Sequence, residues 1–199
     1  MPDWSACLAE HFQSPLHLPG KIFSWPVRIY WEDTDAGGIV FYANYLKFFE
    51  RTRTEWLRSM GVEQQRLREI TGGMFVVVKT STYHHRPARL DDELIVTATL
   101  LEVGRASLII GQQALLKSEQ VNYSDSSARG GKSFNEIERS EGSPRASSAP
   151  STESELRAAN SAGATLICQG RIRIGWVDAA SMRSARIPDS IVSCLRTQT

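Results

Sequence analysis

The tightest constraint on the fold is one long helical period set among strand-like runs. Between Ala43 and Met60, the residues Tyr45, Phe48, Phe49, Thr52, Trp56, Leu57 and Met60 recur at three- and four-residue spacing. That spacing gathers them on one stripe of a helix. Lys47, Glu50, Arg51, Arg53 and Glu55 fall mostly off the stripe, and Gly61 stands where a glycine commonly ends a helix. Elsewhere the period is two. Phe23, Trp25, Val27, Ile29 and Trp31 alternate with smaller or polar residues ahead of the helix. Behind it come the runs Met74–Tyr83, Leu94–Leu101 and Ala106–Leu116, with Gly104-Arg105 at hairpin spacing, and finally Thr165–Val177. The order predicts an α+β fold, an antiparallel sheet of about five strands packed on a long helix. Such a sheet has an open edge, and twofold pairing of two sheets edge to edge is the simplest way to cover it.

The remaining segments read differently. Residues 1–21 are aperiodic and read as an extension outside the core. Residues 118–163 are rich in serine and poor in large apolar side chains. Burial there cannot offset an ordering entropy of about 1–2 kcal/mol per residue, so the segment reads as a disordered insertion in a hairpin loop. One domain, 22–117 with 164–199, is expected. A net charge of +1 offers no basis for nucleic acid or a membrane surface as partner. Cys7, Cys168 and Cys194 are too sparse for a disulfide framework or a metal cluster, which fits a reducing cytoplasm. No secretion signal and no apolar run of the ~20 residues needed to span a bilayer is seen.

The chemistry concentrates in Trp31-Glu32-Asp33-Thr34-Asp35-Ala36-Gly37-Gly38-Ile39-Val40-Phe41-Tyr42-Ala43-Asn44-Tyr45. An acidic pair and a glycine turn stand directly before the helix. Asp35 reads either as a catalytic carboxylate or as a turn residue capping local N–H groups. The glycine turn favours the first reading, because N–H groups at a helix start stabilise developing negative charge. An Asp33/Asp35 metal site lacks further ligands at suitable spacing, and adjacent His84 and His85 face opposite sides of a strand. Tyr42 and Asn44 are candidates to act through backbone or side chain. Arg105, Arg86 and Arg89 are candidates to meet phosphates. Asp91-Asp92-Glu93 reads as a solvated turn.

The run from Val27 to Val40 resembles the hotdog-fold acyl-CoA thioesterases, most of all the Tol–Pal system-associated type, with 4-hydroxybenzoyl-CoA thioesterase as a cousin. Phe49-Glu50-Arg51-Thr52-Arg53-Thr54-Glu55, Pro87-Ala88-Arg89-Leu90-Asp91-Asp92 and Arg186-Ile187-Pro188-Asp189-Ser190-Ile191-Val192 fit the same pattern. The resemblance implies a helix wrapped by an antiparallel sheet, assembled as a homodimer or homotetramer. It also implies hydrolysis of acyl-CoA or acyl carrier protein thioesters without a cofactor or metal. Asp35 then falls at the catalytic carboxylate, as nucleophile or general base. Gly38, Tyr42 and Asn44 fall at the carbonyl-polarising helix start, and Arg105 near the nucleotide phosphates. The chain departs from the pattern at Tyr42, where close relatives often carry histidine, and at His84-His85, where they tend to carry aromatic residues. A hotdog module that binds an acyl chain or acyl carrier protein without catalysis is the competing reading; a hydratase would want a histidine near the helix start.

Overall fold

The computed structural model describes residues 15–117 and 164–197. The segment 118–163, expected to be an insertion, and residues 1–14 lie outside them. In chain order the elements are β1 (Phe23–Arg28), α1 (Asn44–Ser59), α2 (Gln64–Thr71), β2 (Gly73–His84), β3 (Glu93–Val103), β4 (Ser107–Leu116), β5 (Thr165–Asp178) and α3 (Asp189–Arg196). The five strands form one antiparallel sheet in the order β1-β3-β4-β5-β2. The α+β architecture and the long helix stand where the sequence pattern puts them. Two short helices are additions. α2 sets only the half-buried Leu67 against the core, too little to read as a stripe, and α3 fully buries only Ile191 and Leu195. The first strand also stops early, at Arg28, because Trp31–Asp33 coil into a 3-10 turn that leaves Tyr30 and Trp31 exposed.

The helix stripe is the centre of the core. Phe48, Phe49 and Trp56 are buried with Leu94, Val96 and Ala98 of β3, Ile110 of β4 and Ile172 of β5. A buried amide latches helix to sheet. Gln112 of β4 is fully buried; its Nε2 donates to Phe49 O (3.0 Å) and Thr97 O (3.2 Å), and its Oε1 accepts from Arg53 Nη1 (2.7 Å). Every polar atom of that amide is therefore satisfied, as burial requires. α1 packs mainly over β3 and β1. On the β5–β2 side a cavity of about 180 Å³ opens between helix and sheet, lined by Glu50, Arg53, Trp56, Phe75, Val77 and Ile174 among others.

The opposite face of the sheet is covered by the described part of the N-terminal extension. Leu16 N donates to Gln169 Oε1 (2.6 Å), Gln113 Nε2 donates to Leu16 O (3.0 Å), and Thr99 Oγ1 donates to Lys21 O (2.7 Å). Gly111 makes room for this strap, since a Cβ there would stand 2.7 Å from Leu18 Cδ2. β2 remains an edge strand with Val77 and Val78 exposed, and its register shifts between Val77 and Lys79. None of the helices among the described residues is long and apolar enough to cross a membrane.

Gly73, at the start of β2, is the tightest backbone approach in the sheet. A Cβ there would lie 2.4 Å from Trp176 Cζ2, against a buried ring that cannot retreat. Gly73→Ala is expected to lower stability by about 1–3 kcal/mol through overpacking, read as a lower urea midpoint with an unchanged slope.

Candidate active site

The Asp35 segment is a closed loop hung on a single backbone carbonyl. Asp33 is buried; its carboxylate Oδ2 accepts from Tyr30 N (3.0 Å), which holds the 3-10 turn together. Its carbonyl oxygen accepts twice, from Phe41 N (2.9 Å) and from the Asn44 side-chain Nδ2 (2.9 Å). The first bond closes the loop; the second fastens it to the opening residue of α1. Within the loop, Asp35 N donates to Ile39 O (2.9 Å) and Gly38 N donates to Asp35 O (3.0 Å). Gly38 takes φ +72°, the left-handed region that suits glycine. Asp35 is exposed at this tip. Its Oδ1 accepts from Gly37 N (2.8 Å), and its Oδ2 has no donor among the described residues. One oxygen is thus anchored and the other is open to a ligand.

The helix start completes the arrangement. Ala43 precedes α1 in a helical conformation, and no side chain caps the end. Asn44, a residue type that often caps, has its side chain turned away to Asp33. Asn44 N donates to Phe41 O (2.8 Å) and Leu46 N to Ala43 O (3.1 Å), while the N–H groups of Tyr42 and Ala43 have no acceptor among the described residues. Such free donors, at the positive end of a helix, suit a carbonyl oxygen that gains negative charge. The Tyr42 ring is exposed against Phe41, with centroids 4.6 Å apart.

The 85–92 connection buttresses the loop. Val40 N donates to Ala88 O (2.9 Å), and Ile39 bridges to Arg89. Tyr45 is buried beneath it, its hydroxyl held by the Ala88 backbone; burial pushes that phenol up to about 12. His84 reaches the same place from β2, edge-on to Tyr45 with ring centroids 5.3 Å apart. His85 faces the other side of the sheet, against Tyr83 (4.6 Å), as strand alternation requires. Cys168, paired with His84 in the sheet, is fully buried, and burial pushes its thiol up to about 12.

The structure joins Asp35 and Gly38 in one turn, leaves Tyr42 exposed between that loop and α1, and sorts the other candidates. The Asn44 side chain is buried and positions the loop; it does not line the open surface. Arg89 adjoins the loop through its backbone. Arg105 lies at the opposite end of the sheet, since β3 runs Glu93–Val103 between the two regions and separates them by about 30 Å at ~3.3 Å per residue. Asp91 adopts φ +67° and Asp92 Oδ2 accepts from Arg89 N (2.7 Å), so this acidic turn shapes the buttress. The role of the Asp33 carbonyl is absent from the sequence pattern, because a backbone acceptor leaves no side-chain signature.

A helix clasped by a five-stranded antiparallel sheet, with a carboxylate loop at the helix start, defines the hotdog class. The thioesterase superfamily pattern matches residues 37–121. Acyl-CoA thioesterase YbgC of Haemophilus influenzae is 46% identical over 93 residues, 47% of this chain and 68% of that protein. Acyl-CoA thioester hydrolase YbgC of Escherichia coli is 45% identical over 92 residues, 46% of this chain and 68% of that protein. Among solved structures, 4-hydroxybenzoyl CoA thioesterase complexed with 4-hydroxybenzoyl CoA superposes with a TM-score of 0.63 at 13% identity. It covers 88% of this chain and 99% of its own, a likeness of fold. The chain belongs to the thioesterase superfamily.

Asn44→Ala removes the only side-chain donor to the Asp33 carbonyl among the described residues. It is expected to lower stability by about 1–3 kcal/mol, the usual effect of unpairing a buried polar group. Because the same bond ties the loop to α1, Asp35-dependent activity should fall more than the fraction of folded protein does, measured by comparing turnover with circular dichroism at one temperature.

Proposed function

We propose that this chain hydrolyses acyl-CoA thioesters to a free acid and coenzyme A, with Asp35 as the essential carboxylate. The observation that carries the reading is an exposed Asp35 oxygen without a donor on the loop that leads directly into the free N–H groups of Tyr42 and Ala43. The thioester carbonyl oxygen would sit against those N–H groups, its carbon within reach of Asp35 Oδ2. Asp35 then either attacks the carbon, forming a mixed anhydride, or takes a proton from an attacking water. The names of the curated relatives support coenzyme A as carrier; an acyl carrier protein would present the same thioester.

The acyl chain would run from the helix start into the cavity between α1 and β2. From Tyr45 to Arg53 the helix climbs about 12 Å at 1.5 Å per residue, so the cavity suits the far part of an acyl group rather than its carbonyl. The open edge of β2 supports a homodimer, alone or within a tetramer, built by antiparallel β2-to-β2 pairing. That pairing would carry the Arg105 end of one copy to the Asp35 end of the other, so Arg105 would serve the nucleotide phosphates across the dimer.

The test is hydrolysis of a panel of acyl-CoA thioesters, short, long and aromatic, by wild type and Asp35→Asn. Wild-type turnover that falls at least ~10²-fold in the variant is the expected result, the usual effect of losing a general base or nucleophile. Equal turnover in both would remove Asp35 from the mechanism. Inertness of the wild type on every thioester would favour the non-catalytic acyl-binding module.

A further inference from the structure

Three titratable side chains meet on the inner face of the sheet beside the start of α1. Tyr45 comes from the helix, His84 from the end of β2, and Cys168 from β5 opposite it. Two of them are locked. Burial holds both the Tyr45 phenol and the Cys168 thiol in their neutral, protonated forms, each pushed up to about 12. His84 alone of the three remains exposed, so its ring nitrogens can trade protons with solvent or a ligand. Partial burial, and then the neighbouring His85, hold its imidazole below its ordinary value, so it is largely uncharged at neutral pH. Around it stand Tyr45 on α1, Cys168 on β5 and His85 on its own strand, with Asp92 acting on Tyr45 from the buttress. His84 forms no ion pair among the described residues.

The position of this imidazole relative to the loop follows from shared contacts. Ala88 holds Val40 of the loop through its carbonyl and the Tyr45 hydroxyl through its backbone. His84 lies against that same tyrosine ring, beside the opening residues of α1.

We propose that His84 is the proton-transfer residue of the reaction, a role that rests on the thioester-hydrolysis reading and divides the work with Asp35. An Asp35 oxygen attacks the thioester carbonyl carbon; the C–S bond breaks, leaving an aspartyl–acyl anhydride and a thiolate. Water then attacks the acyl carbonyl carbon, giving one proton to the unprotonated ring nitrogen of His84. The anhydride C–O bond breaks, the Asp35 carboxylate is restored, and the acid departs. The imidazolium returns its proton to the thiolate. The sum is one water added across one C–S bond, with no other reactant.

The test compares wild type, His84→Phe and His84→Gln in rapid mixing with the best acyl-CoA of the panel, following thiol release, with melting temperatures alongside. His84→Phe keeps a ring against Tyr45, and His84→Gln keeps polarity without proton transfer near neutrality. The expected result is native-like melting for both, steady turnover lowered ~10²-fold, and a burst of thiol matching the enzyme concentration as the anhydride accumulates. Turnover unchanged in either folded variant would overturn the proposal and leave the thioesterase reading standing. Loss of turnover with no burst in both variants would also overturn it, assigning His84 to packing alone. A wild type inert on all thioesters would sink the thioesterase reading and this assignment with it.

Discussion

The site depends on the carbonyl of Asp33. That one oxygen takes a backbone donor that shuts the 34–40 loop and a side-chain donor that belongs to the helix. A carbonyl has two lone pairs, and here each holds a different piece of structure. The carboxylate of the same residue pins the turn before it. The acidic residue most deeply buried is thus an architectural one, while its neighbour two positions on is left in the open. An extended segment would put both residues on one side; here the 3-10 turn ends at Asp33 and the chain turns again at Asp35–Gly38, which separates them.

Much of this was legible in the chain. The stripe from Tyr45 to Leu57 is long and regular, and it names the helix and its buried face together. The strands announce themselves by β-branched runs and by glycine turns. The glycine turn after Asp35 is legible too, and the structure places that aspartate exposed at the turn, one oxygen capping Gly37 N. The rest is hidden for identifiable reasons. α2 sets only the half-buried Leu67 against the core, too little for a hydrophobic period to mark. The end of β1 depends on a 3-10 turn held by the buried Asp33 carboxylate, an interaction three residues long that competes with an otherwise regular alternation. Asn44 looks like a ligand-binding amide in sequence, yet its partner is a backbone oxygen eleven positions away. Arg105 lies at the far end of the sheet because hairpin spacing does not tell which end of the strands a turn occupies.

The two histidines show what alternation does reveal. Their adjacency on a strand forces them apart, one toward the helix and one toward the outer face. Only the helix-facing one meets the tyrosine that underlies the Asp35 loop. Its setting is unusual in that both neighbouring titratable groups are silenced by burial, which leaves a single exchangeable proton site where three side chains meet.

The sheet also governs how the chain tolerates additions. Leu116 and Thr165 are paired across β4 and β5, and Lys117 N returns to Glu93 O at the start of β3 (3.1 Å). The two ends of the 118–163 segment are thereby fixed at neighbouring rungs of a ladder. To the core this is a hairpin closure, whatever length of chain lies between, because closure entropy grows only slowly with loop length. The anchored rungs stand at the same end of the sheet as Asp35. Lys117 and Thr165, on either side of that segment, are therefore held at the end of the sheet where the Asp35 loop lies.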